Sequence, residues 1–311
     1  VVTDTLTLDG AISADGLPGT GGEQGGGAGG SLWVTTDVLQ GVGLFTADGG
    51  AGQTSGGGGA GGRIAVYYAD GDAFTGYATS TAGGASGYAA GGDGTVAFFD
   101  TTVPDLRLQV HGHFRLPEDA YRHFGQVTVA GGGRLVLHGG TTLDVDGDLL
   151  VETGGTVLCV GKNTVTTVGG EWAGAGVTIE AANITVESGG LISADGRGYA
   201  GGEAGAGRAP GSGPGGGIVT AYSGAGGGYG GAGGDASHSA GGPAYGSETE
   251  PTDLGSGGGD NADNNPGGAG GAGGGAVRLL VTDTLTLDGE ISADGQPGTG
   301  GEQGGGAGGS I

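Results

Sequence analysis

The chain has 311 residues, 89 of them glycine, with 33 acidic against 9 basic side chains and a formal net charge of −24. Only nine prolines and no three-residue glycine period exclude a collagen triple helix. So few Lys and Arg argue against a nucleic-acid partner, and no apolar run approaches the roughly 18 residues of a membrane helix. Such a charge repels copies of itself unless salt or cations screen it; it equally suits an acidic surface that keeps a large polymer soluble. Cys159 is the only cysteine, so no intrachain disulfide can form. With no methionine and no charged-then-apolar leader, the stretch reads as mature or internal to a longer protein.

In chain order, the first phrase is TLTLDGAISADG at 5–16, an alternating apolar run that ends in Ala-Asp-Gly and enters a glycine tract. Variants follow at 39–49 and 184–196, and the phrase itself returns at 284–295. Each tract ends in a new apolar run: Leu32-Trp33-Val34, then 63–68 (RIAVYY), 218–222 (IVTAY) and 276–280 (AVRLL). Between 105 and 196 glycine thins, and apolar pairs recur at short spacing from Val127/Val129 to Ile184/Val186, with Gly, Asn or Asp at the corners. Short runs rich in Val, Ile, Leu and Thr with period two predict half-buried strands. PEDAYRHF at 117–124 is the one helical-turn candidate.

Residues 280–311 repeat residues 1–32 with only four differences: Val1/Leu280, Ala11/Glu290, Leu17/Gln296 and Leu32/Ile311. Repetition at an offset of 279 marks one tandem unit, 1–279, and the start of the next. Within the unit the composition divides at 1–104, 105–196 and 197–275. The expected fold is all-β without significant helix: a β-solenoid or β-helix of short strands, with the long glycine tracts either disordered loops or packed polyproline-II segments.

GGAGGSLW (26–33), GGGGAGGRIAVYY (56–68), GKNTV (161–165), GAGVTIEAANITVESGGLISADG (174–196), YGGAGGDAS (229–237) and YGSETEPTDLGSGGG (245–259) together resemble the large glycine-rich tandem-repeat extracellular proteins of environmental bacteria. The resemblance covers nearly the whole unit. It implies a secreted or surface protein of β-helical build, and it brings no functional residues with it.

Candidate sites are few. Asp260, Asp263 and Asn264 lie in an oxygen-rich stretch that suits calcium, and suits a plain turn as well. If successive passages of the chain stack, Asp15, Asp48 and Asp195 approach one another. Then either calcium bridges them or each carboxylate caps its own turn. Asp144, Asp146 and Asp148 share one strand face but lack the rest of a calcium loop; with Glu152 they are also candidates for the carboxylate cluster that a polysaccharide-cleaving enzyme would use. His111 and His113 share a face without an evident third metal ligand, and Cys159 reads as a small buried hydrophobe.

The leading functional reading is a structural repeat of an extracellular filament, sheath or stalk. It requires no cofactor, calcium being the one candidate ion, and its partner is itself. The assembly edge would be the opening strand phrase, with Val2 and Thr5 at its start. The alternative is a cell-surface adhesin that binds polysaccharide or ions through Tyr199, Tyr222, Tyr229 and Tyr245. An enzyme is a minor alternative, and an ice- or mineral-binding face would need more Thr-x-Thr pairs than Thr5/Thr7 and Thr284/Thr286.

Overall fold

The computed structural model describes residues 1–203, 208–220, 223–261 and 268–311. It is all-β, with no helix among the described residues. The strands in chain order are β1 (Thr5–Thr7), β2 (Ala11–Ser13), β3 (Ser31–Thr35), β4 (Val38–Gln40), β5 (Leu44–Thr46), β6 (Arg63–Tyr68), β7 (Thr95–Asp100), β8 (Arg107–Val110) and β9 (His113–Leu116). They continue with β10 (Tyr121–Phe124), β11 (Gln126–Val129), β12 (Arg134–His138), β13 (Thr142–Val151), β14 (Thr156–Val160), β15 (Val177–Val186), β16 (Leu191–Ser193), β17 (Val277–Leu287) and β18 (Glu290–Ser292).

The expected β-solenoid is not what forms. The strands fall into four sheets, and the largest is mixed: nine strands in the order β17-β15-β13-β11-β8-β7-β6-β3, with β10 beside β13. A five-stranded sheet runs β18-β16-β14-β12-β9, and β1-β4 and β2-β5 make two small sheets. All pairs are parallel except β7–β8, where Phe98–Asp100 oppose Gln109–Arg107 in reverse. The reversal follows from the link between these strands. Pro104 lacks an N–H to donate, and Asp105 and Leu106 take left-handed φ values of 56° and 67°, so the ladder cannot simply continue.

The strand β7 was not legible as an alternating run, and its burial explains why. Val96 and Phe98 enter a cluster with Leu39, Phe45, Ile64, Val66 and Phe74. Ala97 and Phe99 enter a second cluster, which runs from Leu108 to Ala293. A strand buried on both faces reads as a continuous apolar run, here TVAFFD. The apolar pairs of 127–186 are almost wholly buried in the second cluster. Two further expectations change. Tyr121–Phe124 is no helical turn but a strand parallel to Thr142–Val145, and residues 218–220 make only a bridge from Val219 to Gly224.

The glycine tracts leave the sheets and bond to one another. Gly16 and Gly19 donate to Asp48 and Ala51, Gly49 and Gly52 to Ala82 and Ala85, and Gly58 and Gly61 to Ala89 and Gly92. Donors recur at every third residue, the repeat of an extended helix with three residues per turn. Each tract also returns antiparallel beside itself, with the Gly27 N–H on Leu17 O and the Gly30 N–H on Ala14 O. Packing at this distance excludes side chains: a Cβ on Gly58 would sit 1.8 Å from Gly84 O.

Candidate functional site

The repeated Ala-Asp-Gly motif is where sequence grammar becomes geometry. Its alanine points inward and is buried at Ala47, Ala194 and Ala293. Its glycine lies against the returning tract, where a Cβ on Gly49 would meet Gly59 O at 2.0 Å. Its aspartate lies on the outer side, where Asp15 accepts the Ser13 hydroxyl of its own phrase at 2.7 Å. It also reaches the next passage of the chain.

Asp15 accepts the Asp48 N–H at 2.7 Å on Oδ1, and the Thr46 hydroxyl at 3.1 Å on Oδ2. Asp48 accepts the Ala82 N–H at 2.8 Å and the Ser80 hydroxyl at 2.6 Å. Asp195 accepts the Asp294 N–H at 2.7 Å and the Ser292 hydroxyl at 2.8 Å. Each carboxylate thus holds an N–H and the hydroxyl two residues before it, one passage onward. Such charge-assisted bonds favour the ionised form. The Asp48 N–H, with help from the Ser13 and Thr46 hydroxyls, holds the Asp15 carboxyl below its usual range. At Asp195 desolvation pushes the other way, but the Asp294 N–H and the Ser292 and Ser193 hydroxyls outweigh it.

Asp294 occupies the same place in the second copy as Asp15 in the first. It is exposed, and its strands β17 and β18 form the open edges of their sheets. The neighbouring apolar side chains register the difference. Leu8 is 7% exposed beneath β4 and β5, whereas its equivalent Leu287 is 48% exposed. At the opposite end Val2 donates to Thr35 O, and Thr5 pairs with Val38.

Among the described residues one group of metal-type ligands converges: Asp105, His123 and Asp146, with their ligand atoms within 4.8 Å. Sequence reasoning missed it because the three residues come from the lead-in to β8, from β10 and from β13. The only available signal was the Asp/His richness of 105–146. His123 Nδ1 lies 3.1 Å from Asp144 and its Nε2 3.2 Å from Asp146. Its pKa is raised, chiefly by the Asp144 hydrogen bond. The Tyr121 hydroxyl donates to the same Asp144 carboxylate.

The remaining candidates disperse. Asp148 accepts from Asn183 at 2.9 Å, so of the three aspartates of β13 only Asp144 and Asp146 share a partner, His123. Asp260 is buried and accepts the Asn261 N–H, while Asp263, Asn264 and Tyr222 lie outside the described residues. His111 stacks on Tyr77 and His113 bonds Gly94 O; burial lowers the pKa of both, that of His111 to about 4. Cys159 is buried and its thiol is pushed up to about 12. Tyr199 and Tyr229 are buried, and Tyr245 packs against Tyr229.

No family model, curated protein or solved structure matches this chain.

Proposed function

We propose that the chain is a structural repeat of an extracellular filament, sheath or stalk, continued end to end by further units of the same kind. One observation carries this reading: residues 280–311 rebuild the strands and the main tract bonds of residues 1–32. The strands at Thr5–Thr7 and Ala11–Ser13 return within Val277–Leu287 and as Glu290–Ser292. The tract bonds Gly27→Leu17 and Gly30→Ala14 return as Gly306→Gln296 and Gly309→Ala293. The reading is further supported by sheets in which neighbouring strands pair mostly in parallel and by glycine tracts that bond to one another. The adhesin alternative draws less support, because Tyr199 and Tyr229 are buried rather than offered to a sugar. Negative-stain microscopy and light scattering of the purified protein in moderate salt test the proposal. Thin fibres of uniform width are expected; isolated particles at every concentration would count against it.

A further inference from the structure

With 33 carboxylates to nine Lys and Arg side chains, a basic residue that lacks an acidic partner is unexpected in this chain. Two such residues stand together on the five-stranded sheet. In β9 and β12, Leu116, Leu135 and Leu137 turn into the core, and Phe114 packs against it. Alternation along the strands therefore puts His113, Arg115, Arg134, Val136 and His138 on the opposite face. The register sets Arg134 beside His113 and Val136 beside Arg115, so the two arginines are diagonal neighbours. Both are exposed, and both histidines are half-buried. Val136, between them, is only 4% exposed. Long basic side chains cover an apolar neighbour in this way, with their stems over it and their charged heads in water.

Among the described residues no carboxylate neutralises the two arginines. The ion pairs join Arg107 to Asp100, Lys162 to Asp119, and His123 to Asp105, Asp144 and Asp146. The guanidinium hydrogen bonds come from Arg107 and Arg122. Burial first, and then the charge of Arg115, lowers the pKa of both His113 and His138; Arg134 adds to this at His113. Asp93 and Glu118 pull the other way and are outweighed. The Nε2 atom of His138 is shielded from water and has no hydrogen-bond partner. Like charges on adjacent strands repel, and a buried polar atom without a partner is costly.

We propose that Arg115 and Arg134, flanked by His113 and His138, form a site for an oxyanion of the sulfate class, free or carried as an ester on a polysaccharide. Guanidinium groups present paired N–H donors that match the oxygens of such an anion, and they stay charged at any physiological pH. An anion between the two arginines replaces their repulsion with attraction, and its oxygens offer His138 the partner it lacks. The net charge of −24 does not forbid this. In about 0.1 M salt a charge is felt over about 10 Å, so the local pair decides. The inference is independent of whether units join end to end.

Isothermal titration calorimetry of the full chain at low, fixed ionic strength tests the site with sodium sulfate, dextran sulfate and uncharged dextran. Dextran sulfate is expected to bind and dextran is not. Binding of the sulfate ion as well marks a site for the free anion; binding of dextran sulfate alone marks a site for the polymer. Arg115→Gln/Arg134→Gln should weaken binding at least about tenfold, and Arg115→Lys/Arg134→Lys should retain part of it. Arg63→Gln, at an exposed arginine of β6, should leave it unchanged. Circular dichroism of each variant establishes that it folds. Sulfate should also raise the melting temperature of the unmodified chain more than that of the double glutamine variant, since its general salting effect acts on both alike. The site is overturned if neither sulfate nor dextran sulfate binds, or if the double glutamine variant binds and melts as the unmodified chain does. Equal weakening by Arg63→Gln would overturn it too, as a sign of unspecific charge attraction.

Discussion

The side chain of Asp195 accepts the backbone N–H of Asp294 at 2.7 Å, although 99 residues separate them along the chain. The same relation joins Asp15 to Asp48 at 2.7 Å. One motif therefore both ends a strand and positions the next passage. Hydrogen bonds to a charged group contribute about 1.5–3 kcal/mol, less where water competes. Asp15→Ala is expected to destabilise the fold by about 1–2 kcal/mol, because the Asp48 N–H and Thr46 hydroxyl lose their acceptor. Asp294→Ala, in an almost identical sequence, should change the stability of the monomer by less than about 0.5 kcal/mol. Chemical denaturation of both variants checks the contrast; equal losses would contradict it.

Neighbouring glycines of one tract should differ as sharply. A Cβ at Gly91 would lie 1.9 Å from Gly59 O, whereas at Gly92 nothing lies within 4 Å. Gly91→Ala forces two backbones apart and is expected to cost about 1–3 kcal/mol or more. Gly92→Ala should be neutral or stabilising by up to about 1 kcal/mol, since it restricts only the unfolded chain. Thermal unfolding of the two variants is sufficient, and similar melting temperatures would mean that the tracts are not packed in solution.

Acid should weaken the carboxylate contacts in a set direction. The carboxyls of Asp15 and Asp195 titrate below the ordinary 3.8 in the folded chain. Their contribution is thus fully present above that value and is lost as pH falls through the folded pKa. The stability gap between the unmodified chain and Asp15→Asn should hold steady above about pH 5 and close below about pH 4. For His123, raised above 6.5 by Asp144, the sign is opposite. Its contribution is present below 6.5 and lost as pH rises through the folded value. The gap between the unmodified chain and His123→Gln should therefore shrink between mildly acidic and alkaline pH. A gap independent of pH would contradict either assignment.

Long strands of the 105–196 region were legible because β13 and β15 bury one face and leave the other part-exposed, so period two survives in Leu143/Val145 and Ile184/Val186. The double burial of β7 erased that signal, and Tyr121–Phe124 hid a strand inside a phrase with helical spacing. The mixed sheet was not readable at all. It depends on the reversal after Pro104, where Asp105 and Leu106 take left-handed backbone without a glycine to announce it. For the candidate site, the Ala-Asp-Gly motif was plain in sequence, but the destination of its carboxylate depends on which passage lies above it. The Asp105–His123–Asp146 grouping was hidden for the same reason, since three strands had to be in register before the residues met.

The axial repeat of the assembled protein tests the central claim most directly. The path from β3 to β17 through the large sheet takes seven strand-to-strand steps, and the Ala276↔Ser310 bridge adds the step that returns the chain to the equivalent of Ser31. At about 4.8 Å per step, one unit advances about 38 Å. Fibres grown in moderate salt, which screens the net charge of −24, should show that repeat by electron microscopy or fibre diffraction, with one 29.0 kDa mass per repeat. A monodisperse 29.0 kDa particle at every concentration and salt level would contradict the account.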